Sequence, residues 1–324
     1  MPSTVNVTVH SSLYPQGVQR ELLQALRTRN IHPKFHYTSY KQSQKWLALH
    51  EAYSPSRTDP DCASIYEKCF RAVAAANSSP VHVLGLGCGG GQKEARLLTE
   101  LKGQGREVFY TPCDISLPLV LTATFAAQSA VPRIKSHPLL CDLTAATDLT
   151  EVLERPENRG MARMVTFFGM VPNLEPEIFL PVLRGLIGRG DQLLLSANLA
   201  PGPDYASGVQ RVLPGYDNDL TRDWLLTFLL DLGVEQGDGT VSFSIEDSPG
   251  ATKRIAADFR FARPRRLEVH GERFEFRAGD PIRLFFSYRY TPARLRALLD
   301  GCKLSVSDQW IAASGEEGVF LCQT

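Results

Sequence analysis

The feature that most constrains the fold is a short apolar run that ends in a cluster of glycines. Val81 to Leu86 follows Pro80, and residues 85–93 read Gly-Leu-Gly-Cys-Gly-Gly-Gly-Gln-Lys. An apolar run between turn residues predicts a buried parallel strand. The helix expected over residues 93–101 leaves unpaired N–H groups at its start, and glycines let the backbone approach a ligand closely. The alternative is a flexible turn, but a loop after the first strand of a βαβ unit is typical of ligand binding.

Further strands alternate with helix-like segments after this loop. The predicted strands are Glu107–Thr111, Ile134–Leu140, Met164–Phe168 and Gln192–Ser196. This alternation predicts an α/β fold with a doubly wound parallel sheet. From Pro201 the pattern changes to β-like stretches that end near Tyr290, which indicates a β-rich α+β lobe inserted into the sheet domain. A helix and a hairpin after Pro292 then complete the chain.

Composition and charge exclude several classes of function. Lys and Arg number 35, as do Asp and Glu, so net charge gives no case for nucleic-acid binding. No apolar run approaches the roughly 18 residues of a membrane span. Residues 1–12 lack the pattern of a secretion signal, and the seven cysteines are scattered without a CxxC pair. We therefore expect a cytoplasmic protein with reduced thiols, no metal site, and neither nucleic acid nor membrane as a partner.

The glycine pattern leaves two cofactors open. Gly85, Gly87 and Gly90 fit G-x-G-x-x-G, which indicates a dinucleotide and an NAD(P)-dependent oxidoreductase. Gly87, Gly89 and Gly91 fit G-x-G-x-G, the looser pattern of S-adenosylmethionine methyltransferases.

Two acids follow the next predicted strands. Asp114 lies 23 residues after Gly91, a spacing that suits a carboxylate holding ribose hydroxyls with either cofactor. Alternatively it caps the following helix. Asp142 follows the third strand, where an acid often contacts the adenine amino group in methyltransferases, although an ordinary loop role is equally open. The order of loop, acids and closing hairpin favours the methyl donor.

Several segments together resemble the S-adenosylmethionine-dependent histidine Nα-methyltransferases of ergothioneine biosynthesis and the related fungal N-methyltransferases of tryptophan derivatives. The similar stretches are Pro33–Tyr37, Tyr53–Arg57, Leu84–Lys93, Tyr110–Ser116, Phe167–Asn173, Leu213–Asn218 and Arg283–Tyr290. The resemblance implies a Rossmann-like class I methyltransferase core with an inserted substrate lobe. We expect the core to span residues 61–200 and 291–324. The accessory lobe would span 201–290, and the N-terminal helical segment 1–60 would contribute to it.

The same resemblance implies roles for individual residues. Those implied to bind S-adenosyl-L-methionine are Gly87, Gly89, Gly91, Lys93, Asp114, Asp142 and Phe168. Those implied to fix the amino and carboxylate ends of the substrate during catalysis are Asn173, Tyr53 and Tyr37. Those implied to line the substrate site are Tyr216, Phe285, Ser287 and Met170. The structural alternatives are a helix cap for Asn173 and packed side chains for Tyr37, Tyr53 and Phe285.

Two departures from the family pattern shape the functional hypothesis. Gly85 stands where the family usually has an acid, which predicts a weaker hold on the methionine end of the donor. Phe285 stands where the family has a glutamate that hydrogen-bonds the histidine imidazole, whereas Ser287 matches the partner serine. A phenyl ring cannot accept such a bond. We expect N-methylation of an amine or amino acid with an apolar or aromatic side chain and not of free histidine, with Phe286, Met170 and Phe168 near Phe285. The open alternatives are methylation of another atom or a silent donor-binding protein.

Overall fold

A computed structural model describes residues 4–76 and 79–324. The helices are α1 (Pro15–Thr28), α2 (Tyr40–Tyr53), α3 (Pro55–Thr58), α4 (Pro60–Ala75), α5 (Gln92–Gly103), α6 (Leu117–Ala130), α7 (Leu149–Leu153), α8 (Pro176–Leu186), α9 (Tyr205–Val212), α10 (Asp219–Asp231) and α11 (Pro292–Asp300). The strands are β1 (Thr8–Val9), β2 (Val81–Leu86), β3 (Val108–Asp114), β4 (Lys135–Ser136), β5 (Leu139–Leu140), β6 (Ala162–Phe168), β7 (Gln192–Asn198), β8 (Gly239–Ser248), β9 (Thr252–Phe261), β10 (Arg265–Val269), β11 (Glu272–Phe276), β12 (Pro281–Arg289), β13 (Ser305–Ile311) and β14 (Glu317–Gln323).

The chain divides into two compact units. The first contains residues 4–13, 55–199 and 290–324, and the second contains residues 14–54 and 200–289. The predicted N-terminal segment, 1–60, is therefore split. Residues 4–13 join the first unit because β1 pairs in parallel with β5, Thr8 opposite Leu139. Residues 1–3 lie outside the described part of the chain.

The first unit is built on a mostly parallel sheet with the strand order β1-β5-β3-β2-β6-β7-β14-β13. The pairs from β1 to β7 are parallel, whereas β14 runs antiparallel to both β7 and β13. β2 and β3 are buried along their whole length, as expected for central parallel strands. The predicted Rossmann-like α/β core with an antiparallel closing hairpin is confirmed.

One predicted strand is interrupted. The stretch 134–140 forms two short strands, β4 and β5, that both pair with β3. Pro138 lies between them and has no N–H to donate to a sheet. The chain remains hydrogen-bonded to β3 across the interruption, because the His137 N–H still donates to the Tyr110 carbonyl at 2.9 Å.

The second unit combines antiparallel strands with helices from two parts of the chain. β12, β9 and β8 form a three-stranded antiparallel sheet, and β10 and β11 form a hairpin. α2 begins with a capping box in which the Ser39 side chain and the Gln42 side chain each accept a backbone N–H. Buried side chains of α1 and α10, which include Leu26, Trp224 and Phe228, share one apolar core with Phe259 of β9. This composition confirms the predicted β-rich α+β architecture.

Candidate functional site

The glycine loop between β2 and α5 needs glycine for conformational and spatial reasons. Gly87, Gly89 and Gly91 have φ values of 61°, 52° and 72°, a region that L-residues with side chains rarely adopt. A Cβ on Gly91 would lie 2.5 Å from the Cα of Ala123 in α6. The loop therefore turns sharply from strand to helix and presses its backbone against the neighbouring helix.

These conformations distinguish the two glycine patterns. The three glycines with positive φ are those of G-x-G-x-G. Gly85 lies within β2, and Gly90 does not have a positive φ. Of the three glycines in the dinucleotide spacing, Gly87 alone has a positive φ, whereas all three glycines of G-x-G-x-G have one.

Asp114 ends β3 and holds the glycine loop. Its Oδ2 accepts the Gly89 N–H at 3.0 Å, and its Oδ1 accepts the Ser116 N–H at 3.0 Å. Ser116, not Asp114, caps α6, since its side chain accepts the Leu119 N–H. A carboxylate has about four acceptor sites, so each oxygen can take a further hydroxyl donor. Burial raises the pKa of Asp114 to about 6, and its backbone hydrogen bonds oppose that rise.

Asp142 lies beyond the end of β5, beside the strand that carries Asp114. The adjacent Cys141 N–H donates to the Asp114 carbonyl at 2.9 Å. The Asp142 Oδ1 accepts both the backbone N–H and the hydroxyl of Thr144, at 2.9 and 2.7 Å. The structure thus brings Asp142 to the same sheet edge as Asp114, with one carboxylate oxygen engaged in a local turn.

Lys93 takes part in a buried polar cluster that the sequence did not reveal. Its Nζ donates to the Tyr66 hydroxyl at 2.8 Å and lies 3.5 Å from Oε1 of Glu317. The Tyr66 hydroxyl in turn donates to Glu317. Burial, with the charge of Glu317, raises the pKa of Tyr66 well above its usual value, so the phenol remains a donor. Phe168 packs edge-on against Tyr66, with ring centroids 5.5 Å apart.

Met170 and Asn173 follow β6 at the same end of the sheet. The Met170 side chain lies against Gly87, since a Cβ on that glycine would be 2.5 Å from the Met170 Sδ. Asn173 ends a short 3₁₀ turn, Val171–Asn173, and is half-buried. Its Nδ2 donates to the Gly169 carbonyl at 3.4 Å, a long bond within its own turn. The first unit therefore brings a predicted substrate residue into contact with the glycine loop.

A second buried acid stands beside the loop and was missed at the sequence level. Glu94, in the first turn of α5, is 3% exposed, and its carboxyl accepts the Thr166 hydroxyl at 3.0 Å. Burial raises the pKa of Glu94 to about 7, and the neighbouring Asp114 adds to the rise. A Cβ at Gly85 would lie 3.4 Å from the Glu94 Cγ. Glu94 thus reaches the place where the related family has its acid.

In the second unit, predicted substrate residues gather on one face of β12. Tyr216 and Ser287 share a hydroxyl–hydroxyl bond of 2.9 Å, and the Tyr216 ring lies 6.0 Å from that of Phe285. Arg289 donates to the Tyr216 hydroxyl at 2.6 Å. Sequence reasoning missed Arg289, although the period-two alternation of a strand places 285, 287 and 289 on the same face.

Aromatic rings extend this group. Trp224 lies 6.1 Å from Phe285 and 5.3 Å from Tyr37, so Tyr37, Trp224, Phe285 and Tyr216 form one row, here called the aromatic cluster. Among the described residues, no hydrogen bond or ring contact joins Tyr53 to the cluster, and its side chain is 46% exposed. Adjacent strand residues face opposite ways, and the Phe286 ring packs against that of Tyr288, with ring centroids 5.6 Å apart.

The first unit fits an adenosyl donor with a positive charge. The glycine loop lets a ligand approach the backbone closely, and the Asp114 carboxyl beside it can accept further hydrogen bonds. Glu94 is a second buried carboxyl near the loop. Within residues 4–76 and 79–324, no three His, Cys, Asp or Glu side chains gather as a metal-ion site. In the same described ranges, no helix combines the length and hydropathy needed to cross a membrane.

This fold and this site define a class I S-adenosylmethionine-dependent methyltransferase. The sequence profile described as histidine-specific, SAM-dependent methyltransferase matches residues 18–324. The chain therefore belongs to that family, and the donor is S-adenosylmethionine and not a nicotinamide dinucleotide. No curated protein matches the chain.

Several solved structures are similar to the chain at low identity. A methyltransferase of unassigned activity from Thermobifida fusca is 14% identical, with 97% of this chain and 99% of that chain covered and a TM-score of 0.45. The Burkholderia thailandensis 1,6-didemethyltoxoflavin-N1-methyltransferase, solved with its substrate and S-adenosylhomocysteine, is 14% identical over 88% of each chain, with a TM-score of 0.41. The CcbJ methyltransferase from Streptomyces caelestis is 16% identical over 82% of this chain and 96% of its own, with a TM-score of 0.39.

Proposed function

We propose that the protein methylates the amino group of an amino acid, or of a small molecule derived from one, whose side chain is apolar or aromatic. The observation that carries this proposal is the environment of Phe285. The side chain is 6% exposed and belongs to the aromatic cluster, between the rings of Tyr216 and Trp224. Because these surfaces offer a ring face and not a carboxylate, they favour an apolar or aromatic group over free histidine.

The polar groups beside the cluster suit the other end of such a substrate. The Arg289 guanidinium fixes the Tyr216 hydroxyl, which also bonds to Ser287. A hydroxyl held in this way has a defined orientation for a polar group of a ligand. Asn173, Tyr37 and Tyr53 are the residues that we propose to fix the amino and carboxylate ends.

Methyl transfer depends more on orientation of the amine than on general acid–base catalysis. When bound, S-adenosylmethionine supplies an electrophilic methyl group on a sulfonium. The chain's own residues must then hold a neutral amine in line with that group and exclude water. Good alignment can contribute on the order of 7–11 kcal/mol to catalysis. Aromatic faces such as that of Tyr37 also tolerate the methylammonium charge that develops on the nitrogen.

A methyl-transfer assay with a panel of amines tests the proposal. The panel contains histidine, tryptophan, phenylalanine and tyrosine, with the decarboxylated form of each. We expect the wild type to prefer the aromatic compounds over histidine by about tenfold or more in kcat/KM. Phe285→Glu should reverse this order, because a carboxylate accepts a hydrogen bond from imidazole.

Phe285→Leu is the matched control, since it removes the ring without adding an acceptor. This variant should lose activity towards aromatic compounds without gaining histidine. A wild type that methylates histidine best contradicts the proposed side-chain class. Methyl transfer to oxygen or carbon, identified by mass spectrometry, contradicts the proposed amine.

A further inference from the structure

Residues 8–13, which precede α1, are hydrogen-bonded to the edge of the sheet in the first unit. The Thr8 N–H donates to the Pro138 carbonyl at 3.0 Å, and the His10 N–H donates to the Leu140 carbonyl at 2.9 Å. Strand pairing of this kind fixes the path of the segment along β5. Because the family profile begins at residue 18, these contacts come from a part of the chain that lies outside the profile.

The 3₁₀ turn after β1, Ser11–Leu13, brings a hydroxyl to one of the acids at this sheet edge. The Asp142 N–H donates to the Ser12 Oγ at 3.0 Å. Asp142 is 3% exposed, and its Oδ1 accepts the N–H and the hydroxyl of Thr144. A carboxylate can accept about four hydrogen bonds, which exceeds the two from Thr144. Ser12 thus holds the backbone of a buried acid, and Thr144 holds its side chain.

A chain of hydrogen bonds orients the Ser12 hydroxyl. The buried His10 ring has its Nε2 2.7 Å from the Asp148 Oδ1 and its Nδ1 2.8 Å from the Ser12 Oγ. The hydrogen bond from His10 lowers the pKa of the Asp148 carboxyl, so this acceptor is ionised at neutral pH. The proton of the neutral imidazole therefore lies on Nε2, and Nδ1 accepts. Since the Ser12 hydroxyl donates to that nitrogen, its oxygen is left to accept the Asp142 N–H.

We propose that Ser12 is a positioning residue for the donor site, and that His10 and Asp148 orient it. With its N–H bound to Ser12, Asp142 keeps its carboxyl at the sheet edge that also carries Asp114. The carboxyl is then placed to accept a hydrogen bond from the adenine amino group of the methyl donor. This inference rests on the donor role expected of Asp142, and it adds the N-terminal segment to the donor site.

A pair of ligands isolates the contact that Ser12 is proposed to position. S-adenosylhomocysteine is compared with its analogue that lacks only the adenine amino group, and isothermal titration calorimetry measures both affinities. We expect the wild type to bind the amino-containing ligand at least about tenfold more tightly, as for a hydrogen bond to a charged group. Ser12→Ala should reduce this ratio to about threefold or less, because the Asp142 N–H loses its acceptor and the carboxyl loses its fixed position.

Ser11→Ala is the matched control, because it makes the same change at the neighbouring, exposed residue of the same turn. It should keep the wild-type ratio. A tenfold ratio retained in folded Ser12→Ala overturns the proposal, even if both ligands bind more weakly, because an equal loss indicates a purely structural role. A ratio near one in the wild type instead contradicts the donor role of Asp142, and the proposal with it, so the two failures are distinguishable.

Asp148→Ala tests the same chain of hydrogen bonds from its other end and does not depend on the folding of a Ser12 variant. The Asp148 side chain is 49% exposed and makes no capping hydrogen bond at the start of α7, so its loss should leave the fold intact. We expect an affinity ratio between about threefold and about tenfold, since the His10 ring loses the acceptor that orients it. A ratio unchanged from the wild type in Asp148→Ala contradicts the proposed orientation of Ser12.

Discussion

The surroundings of the glycine loop in the first unit and of the aromatic cluster in the second differ in charge. Beside the loop, burial raises the pKa of Asp114 to about 6 and of Glu94 to about 7. In the second unit, burial lowers the pKa of His36, whose ring lies 5.4 Å from Trp224, to about 4. The first region thus contains buried acids whose ionised form a bound cation would favour, whereas the aromatic cluster has a neutral histidine beside it near pH 7.

This difference separates two aspects of the function. A positively charged donor suits carboxylates held close to a backbone that a ligand can approach, and the first unit has both. In the proposed function, selection among acceptor molecules depends on surface shape and on which hydrogen bonds are offered, and the cluster offers ring faces and a Tyr216–Ser287 hydroxyl pair. Changes near the loop should therefore affect donor binding for every acceptor, and changes in the aromatic cluster should affect the choice of acceptor.

The largest effect that separates the regions is expected from Gly91→Ala. A Cβ there would lie 2.5 Å from backbone of α6, and the residue has a φ of 72°. The combined overpacking and strain should cost roughly 3–4 kcal/mol of unfolding free energy and abolish donor binding. Denaturant unfolding and calorimetry with S-adenosylhomocysteine measure the two quantities. Gly103→Ala, in open space at the end of α5, should be neutral or slightly stabilising. Wild-type donor affinity in Gly91→Ala would show that the loop backbone is not the binding element.

A smaller effect is expected in the pH dependence of stability. The folded state holds the Glu94 proton between its ordinary pKa of 4.5 and about 7. The stabilisation is complete below the ordinary value and is lost as pH rises through the folded one. Glu94→Gln does not titrate, so its stability relative to the wild type should rise by roughly 2–3 kcal/mol between about pH 5 and 8. Denaturant titrations measure this difference. A difference that stays constant with pH would contradict the burial of an acidic Glu94.

The smallest effect is expected from amide substitutions at the two acids of one sheet edge in the first unit, Asp114 and Asp142. Asp114→Asn should weaken S-adenosylhomocysteine binding about tenfold, because an amide has one oxygen acceptor where the carboxylate has two. Asp142→Asn, the matched change at the same sheet edge, should weaken binding only about threefold, since one oxygen already serves Thr144. Isothermal titration calorimetry with S-adenosylhomocysteine measures the loss of affinity in each variant. Equal losses at the two positions would mean that Asp114 has no special role.

Much of this architecture was predictable because it follows from local patterns. The apolar run before the glycine loop, the strand–helix alternation and the closing hairpin each depend on neighbouring residues. The positive φ of Gly87, Gly89 and Gly91 is a local requirement of the same kind. The break at Pro138 also has a local cause, although the apolar pattern of residues 134–140 predicts a single strand.

The site residues that the sequence did not reveal are brought together by tertiary contacts. Glu94 lies in a stretch whose letters suit an exposed helix, and only packing over β2 and β6 buries it. The Tyr66–Lys93–Glu317 cluster joins positions as far as 251 residues apart, which no periodicity reveals. Arg289 is the exception, because strand alternation with Phe285 and Ser287 would have indicated its face.

The most direct test of the central claim is a crystal structure of the protein with S-adenosylhomocysteine. We expect the adenosyl group against Gly87–Gly91 and the ribose hydroxyls at Asp114. A ligand bound elsewhere, with the glycine loop empty, would contradict the account.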